Sequence, residues 1–315
     1  MLVYLFFAVG LGLLLLGGEW LVRGAVGLAK SLHIPPLIIG LTIVAFGTSA
    51  PELIVSLRAA LGGNGGLSLG NVVGSNIANV LLVLGLPALL SPIICHGVGM
   101  RTNVSILVLA TVLFMFMVSF GSLTRLDGII LVGVLIAFLV FQFFQARSQK
   151  EMQKQIAAAE EIDSAPQNLL VTAAFLVAGF VALPVAAELT VQSAVTIAEI
   201  WEVPDHIIGL TIVAIGTSLP ELATAIMAAR AKSTSVLLGS LIGSNFFNLA
   251  AILGITAIVV PIPASDHILD FDIWVMAGAT LLLVLLATMR LTIGKVLGAA
   301  MFGSFLLYLV ATVSL

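Results

Sequence analysis

The sequence predicts an all-α polytopic membrane protein: ten transmembrane helices arranged as two inverted five-helix repeats, with discontinuous motif helices at the bilayer midplane. Three observations predict it. Charged residues make up 9% of the 315 and hydrophobic residues 61%, with a mean hydropathy of +1.25, whereas soluble domains carry roughly 25% charged residues. Residues 40–53 (GLTIVAFGTSAPEL) return as residues 209–222 (GLTIVAIGTSLPEL), identical at 12 of 14 positions with an offset of 169, and residues 70–79 (GNVVGSNIAN) return as 239–248 (GSLIGSNFFN) at the same offset. Lysines and arginines, finally, gather on one side of the predicted spans.

A spanning helix needs about 20 apolar residues. On that rule spans are predicted near 3–29, 34–61, 67–90, 104–120, 126–146, 168–198, 206–229, 234–260, 270–289 and 293–313. The first apolar stretch lacks the basic n-region and small-residue cleavage site of a signal peptide, so it is expected to be a retained helix. Residues 62–66 (GGNGG) read as a tight turn. Arg147 to Gln167 is the only long polar stretch, a helix-compatible linker too short for a folded regulatory domain. It divides a first repeat, residues 1–146, from a second, residues 168–315. Pro184 is expected to kink the sixth span.

The positive-inside rule orients these spans. Lys30, Arg101, Arg147, Lys150, Lys154, Arg230, Lys232, Arg290 and Lys295 share one side, and Arg58 and Arg125 fall on the other. The linker is therefore expected in the cytoplasm and both termini outside a cell (inner) membrane. Five spans per half is an odd number, so the halves enter the membrane in opposite directions, a design common among secondary transporters. The net charge of -3 and the absence of a basic tract argue against nucleic acid, and the single cysteine, Cys95, excludes an intrachain disulfide or a cysteine-rich metal cluster.

The repeated segments carry the chemistry. Thr48 and Ser49 precede Glu52 by four and three residues, so on a helix all three share a face. Pro51 removes a backbone donor and crowds the carbonyl of Gly47. The turn from Ala45 to Thr48 is therefore expected to loosen and free carbonyls, which at membrane depth is tolerated where they line a cavity or meet an ion. Ala214, Thr217, Ser218, Pro220 and Glu221 repeat these roles. Ser75 with Asn79, and Ser244 with Asn248, put a hydroxyl and an amide on one helix face. The donors are all oxygen, suiting hard cations such as Ca²⁺, which take about six to eight such ligands. No histidine or cysteine enters the motifs, against zinc or copper. Two glutamates supply a charge matching one Ca²⁺ or two Na⁺.

Other features have plainer explanations. The pairs Gly70/Gly74 and Gly239/Gly243 read as close-packing faces. Glu19 and Glu188 also correspond at the offset of 169. Glu19 can pair with Arg23 one turn on, but Glu188 has Gln192 there, so pairing is not a shared explanation and a role in the ion path stays open. His33, His96, His206 and His267 read as interfacial. Asp266, Asp270 and Asp272 read as solvated loop carboxylates on the outer side, where they could also raise local cation concentration. No His-Glu-x-x-His or Gly-x-Ser-x-Gly motif occurs, so an enzyme is not expected.

On these motifs, Gly-Thr-Ser-x-Pro-Glu twice, each followed by Gly-Ser-Asn-x-x-Asn, the chain resembles the Ca²⁺/cation antiporter superfamily, most closely its prokaryotic sodium/calcium exchanger-like members. The resemblance spans essentially the whole chain. It implies ten helices in which the second, third, seventh and eighth surround the ions, while the long first and sixth slide against them to alternate access. It implies as ligands Ala45, Thr48, Ser49, Glu52, Ser75 and Asn79, then Ala214, Thr217, Ser218, Glu221, Ser244 and Asn248, with Ala45 and Ala214 acting through backbone carbonyls and the glutamates shared between Ca²⁺ and Na⁺. Some relatives carry Asp at the position of Asn248, including K⁺ cotransporters, so Asn248 leans towards K⁺ independence. The proton-coupled branch usually carries Gly-Asn-x-x-Glu instead, which favours Na⁺ as the coupling ion. The expected function is Na⁺/Ca²⁺ antiport without a cofactor, in a lipid bilayer. The alternatives are H⁺-coupled exchange of Ca²⁺ or another divalent cation, and a cation channel. Oligomeric state is not set by the sequence, and a monomer is compatible with it.

Overall fold

A backbone removed from water must satisfy its polar groups within its own segment, so long apolar runs become helices. In the computed structural model, which describes residues 2–97, 99–148, 168–203 and 214–314, the first half forms α1 (Leu2–Leu32), α2 (Pro36–Thr48), α3 (Ala50–Leu61), α4 (Gly65–Leu90), α5 (Met100–Val118) and α6 (Arg125–Ser148). The second forms α7 (Leu169–Ile200), α8 (Ala214–Gly216), α9 (Leu219–Arg230), α10 (Thr234–Val259), α11 (Ile268–Thr288) and α12 (Lys295–Ser314). Among the described residues eight helices are long and apolar enough to cross a membrane, and α2 with α3 forms a further such pair, bent by 44°. The fold is an all-helical, multi-pass membrane protein.

The predicted spans fall on these helices to within a few residues. The exception is the span predicted near 206–229, whose first residues, with His206 and positions 209–213 of the repeated segment, lie outside the described residues. So do positions 149–167 of the predicted linker. α7 continues through Pro184 without a break in the helix.

Helix ends recur at the offset that relates the motifs. α1 stops at His33, whose φ is +56°, with the Ile34 N–H donating to the Ala29 carbonyl (3.0 Å). Glu202, 169 positions later, has φ +57° and the same closing bond, Val203 N–H to the Ala198 carbonyl (3.0 Å). Gly63 and Lys232 make a second such pair, and Gly121 and Arg290 a third. This left-handed cap satisfies carbonyls at a helix end and favours glycine, so Lys232 and Arg290 hold a strained backbone that their counterparts reach freely. Two short antiparallel pairs were not predicted: β1 (Ile93–Ile94) with β4 (Thr292–Ile293), and β2 (Ser122–Leu123) with β3 (Ile262–Pro263). Each joins one half of the chain to the other.

α10 is buried along most of its length, up to Ile258 and Val259 at its end, whereas α6 and α12 present Ile129, Phe143, Val296 and Leu307 outward. Close approach around α10 rests on small residues. A Cβ at Gly243 would lie 2.6 Å from both the Ala45 side chain and the Leu41 carbonyl, and one at Gly40 would lie 2.7 Å from the Val236 carbonyl. Gly239 stands equally hard against the Leu37 carbonyl. The predicted packing role thus holds for Gly239 and Gly243. It does not hold for Gly74 among the described residues, which place nothing within 4 Å of its Cβ position, and Gly70 meets only Ile268 at 4.0 Å. α1 runs along α7, and Gly10, Gly17 and Gly24, seven residues apart, face Thr190, Leu183 and Leu176 there.

Candidate functional site

Two helix starts build the site. The chain leaves α2 at Ser49 (φ -85°, ψ 2°), and Ala50, Pro51 and Glu52 form the first turn of α3. Ser218 (φ -89°, ψ 4°) hands the chain to α9 in the same way, with Leu219, Pro220 and Glu221 in its first turn. Proline suits this place because its missing N–H would have had no helical partner. A carboxylate in the first turn also sits at the positive end of the helix dipole.

The break differs in position from the prediction. Ala45–Thr48 is α-helical and the Ala45 carbonyl is engaged, by the Ser49 N–H (3.0 Å) and the Thr48 hydroxyl (3.4 Å). Pro51 acts at Gly47, whose carbonyl it cannot meet, so the turn opens at Ser49 and not before it. The loosened winding lies upstream instead, as π-helix at Gly40–Val44. The second copy is wound more tightly, with the Ser218 N–H reaching the Ile215 carbonyl (3.0 Å) three residues back. Ala214 opens α8, and its side chain lies outside the described set.

Both first-turn glutamates are buried, Glu52 at 1% and Glu221 at 5% exposure. Their carboxyl groups are close enough to act on each other. The Ser49 hydroxyl crosses from the first half to donate to Glu221 Oε1 (3.4 Å), and the hydroxyls of Thr48 and Ser244, themselves 3.3 Å apart, also stand at that carboxyl. No lysine or arginine among the described residues acts on either acid. Two facing acids in a low-dielectric interior repel each other unless a proton or a cation stands between them.

The two repeated motifs also hold oxygen atoms that no described protein group satisfies. Glu52 Oε2, Glu221 Oε2, Ser75 Oγ, Ser218 Oγ, Asn79 Oδ1 and Asn248 Oδ1 are all buried without a hydrogen-bond partner. Each such group costs on the order of 1–3 kcal/mol, and six of the eleven polar side-chain atoms so left among the described residues belong to the two repeated motifs, which suits a ligand that accepts oxygen lone pairs. Among the described residues no cluster of three His, Cys, Asp or Glu exists. The donor set is two carboxylates with neutral oxygens, which fits a hard cation and not a transition metal.

Two asparagines that the sequence reading passed over hold this set in place. Asn76 donates to the Asn245 carbonyl (3.3 Å) and Asn245 returns the bond to the Asn76 carbonyl (3.4 Å). Asn79 then donates to Asn245 Oδ1 (2.9 Å) and Asn248 to Asn76 Oδ1 (3.0 Å). The amide nitrogens of Asn79 and Asn248 are thereby committed to this network, and their oxygens are the atoms left over. α10 passes into π-helix from Asn248 to Ile252, and α4 loosens at the same place, the Val83 N–H reaching five residues back to Ala78 (2.9 Å). Thr217 departs from the pattern of Thr48: it meets Asn71 (3.4 Å), which in turn holds Ser56 (3.0 Å).

Two expectations away from the site need correction. Glu188 accepts a hydrogen bond from Gln192 (2.6 Å), as Glu19 pairs with Arg23, so both carboxylates are answered by the residue one turn on. Asp272 is not a solvated loop carboxylate. It is buried in the first turns of α11, accepts the Tyr308 hydroxyl (3.0 Å) and lies 3.6 Å from His267 Nε2.

Known proteins resemble the chain over nearly its whole length. The family model for the sodium/calcium exchanger protein matches residues 2–144 and 171–314. The chain is 39% identical to a candidate antiporter, CaxA, of Alkalimonas amylolytica over 92% of this chain and 90% of that one. It is 36% identical to the inner membrane protein YrbG of Escherichia coli K12, over 96% and 94%. A solved structure of the sodium-calcium exchanger NCX_Mj, soaked with Na⁺ and Ca²⁺, superposes with a TM-score of 0.83 at 30% identity, covering 98% of this chain and 97% of that one.

Proposed function

The chain belongs to the sodium/calcium exchanger protein family, a family of cation antiporters, and from that premise we propose that it exchanges Na⁺ for Ca²⁺ by alternating access. One observation carries the reading: Glu52 and Glu221, one from each half of the chain, are close enough to act on each other, and their motifs hold buried oxygens that have no described partner. The ligands are the two glutamates, the hydroxyls of Thr48, Ser49, Ser75, Thr217, Ser218 and Ser244, the amide oxygens of Asn79 and Asn248, and the carbonyls of Ala45 and Ala214. Two carboxylates balance one Ca²⁺ or two Na⁺. Either ion needs the same pair, so loading one displaces the other, and exchange follows from that competition.

The architecture is ten helices in two inverted repeats, residues 1–146 and 168–315, joined by a linker at 147–167. Helix caps recurring at the offset of 169 and the reciprocal Asn76–Asn245 contact support it. The protein sits in the inner membrane with both termini outside and the linker in the cytoplasm. Supporting this, Arg101 and Arg290 line one cavity beside the β1–β4 pair, and the E. coli relative is named as an inner membrane protein. The glycines of α1 facing α7 leave a shallow surface along which the two long helices can shift.

Calcium uptake into everted vesicles, with Na⁺ and pH gradients imposed separately, tests the coupling. A Na⁺ gradient alone should drive uptake. Equal uptake from a pH gradient without Na⁺ would replace sodium by the proton, and Ca²⁺ currents that need no counter-ion would make the protein a channel.

A further inference from the structure

We infer that a basic pocket between the β1–β4 pair and the ends of α5 and α11 binds a phosphate-bearing anion. The cavity measures about 390 Å³ and is lined by His96, Gly97, Met100, Arg101, Ala287 and Arg290. That volume lies within the roughly 300–1,000 Å³ of small-ligand sites. Among the described residues no carboxylate lines it. Two arginines thus share one concavity with a histidine and, among the described residues, no acid, a composition that suits phosphate oxygens through charge-assisted, bidentate hydrogen bonds.

The position is built. The Cys95 N–H donates to the Leu291 carbonyl (3.1 Å), extending the β1–β4 pair and setting His96 beside the α11 exit. Arg101 is anchored by donating to the Thr288 carbonyl (2.8 Å) at the end of α11. Arg290 occupies a left-handed backbone position (φ +53°) whose counterpart in the first half is Gly121 (φ +87°). An arginine kept where glycine is easier points to a use for its side chain. Both arginines lie where a spanning helix ends, the level of lipid headgroups. An anionic phospholipid and a free phosphate offer the same chemistry there. The pocket is separate from the buried carboxylates, so it stands or falls independently of the exchange reading.

The test uses the full chain in a mild detergent, with thermal unfolding titrated by phosphatidylglycerol, by phosphatidylcholine of the same chains, and by inorganic phosphate. A saturable rise with phosphatidylglycerol alone identifies a lipid headgroup as the occupant, and one with inorganic phosphate identifies free phosphate. In either case Arg101→Gln with Arg290→Asn should weaken binding about tenfold or more. Arg290→Asn alone, a substitution at home in the left-handed region, should weaken it without disturbing the fold. No saturable response to any anion, or an undiminished response in a monodisperse Arg290→Asn protein, would overturn the inference.

Discussion

Glu221→Gln separates charge from shape at the centre of the proposed site. The substituted amide fills the same volume, and the Ser49 hydroxyl, which donates to Oε1 across 3.4 Å, can as readily accept from an amide. Packing around the first turn of α9 is therefore preserved, and what is lost is one of two negative charges. Removing one member of a buried, hydrogen-bonded charge pair costs about 2–5 kcal/mol, so Ca²⁺ affinity should fall about 30-fold or more, with 100-fold well inside that range. Ligand-linked stability turns this into a thermal measurement. At a Ca²⁺ concentration 100 times its Kd the native protein gains about 2.7 kcal/mol, whereas a variant binding 100-fold more weakly gains only about 0.4 kcal/mol. At roughly 2–4 °C per kcal/mol, a shift of several degrees should shrink to about one. Without ions the sign reverses: Glu52 no longer faces a second acid, so the variant should be at least as stable as the native chain. Calcium uptake should be abolished in parallel. A Glu221→Gln protein that kept both its Ca²⁺-induced shift and its uptake would refute the assignment.

Three further outcomes follow from the same geometry. Asn76→Ala strips Asn248 of its acceptor and Asn245 of a donor; Ca²⁺ affinity in isothermal titration should drop about tenfold, less than for Glu221→Gln because no charge is lost. Gly243→Ala would set a methyl 2.6 Å from the Ala45 side chain and the Leu41 carbonyl, so it should cost about 1–3 kcal/mol in detergent unfolding, while Gly133→Ala, with open space at its Cβ position, should not. Lys232→Gly relieves a left-handed backbone (φ +56°) that its counterpart Gly63 adopts freely, and should stabilise the protein by about 1 kcal/mol, read as a raised unfolding midpoint.

The helices and the glutamates were legible in the sequence because their signals are local and expensive to imitate. Twenty apolar residues have few uses besides spanning a membrane, and an acid repeated within two such runs has few neutral explanations. Asn76 and Asn245 were written in the same motif yet passed over. Helical-face reasoning joined Ser75 to Asn79, four residues apart, and left Asn76 turned about 100° away. What Asn76 meets depends on which helix lies opposite, and spacing along one strand of text does not contain that. Asp272 needed Tyr308, 36 residues on, before its burial made sense. Glu188 is illegible for a different reason: a neutral amide at Gln192 answers its carboxylate, and charge patterning along the chain shows only ion pairs. The π-helical turns beside Gly40 and Asn248 come from packing against other helices and leave no trace in propensity.

The two copies of the motif are alike in text and unlike in bonding. Ser49 donates across to Glu221, while the Ser218 hydroxyl has no partner among the described residues. Thr48 meets Ser244, but Thr217 meets Asn71 and not Ser75. The Ser49 N–H reaches back four residues and the Ser218 N–H three. A site built only to hold an ion gains nothing from such differences, since two equivalent halves would bind most evenly when their bonds matched. In the inverted pair proposed above, however, trading the bonding of one half for that of the other would produce the same structure facing the opposite side. The differences are of the size that hydroxyl rotations and a one-residue change in winding can reverse, while the reciprocal bonds between Asn76 and Asn245 are already symmetric and need not change. On that proposal the asparagine network is the fixed pivot, and the Thr-Ser turns before Glu52 and Glu221 are the parts that move.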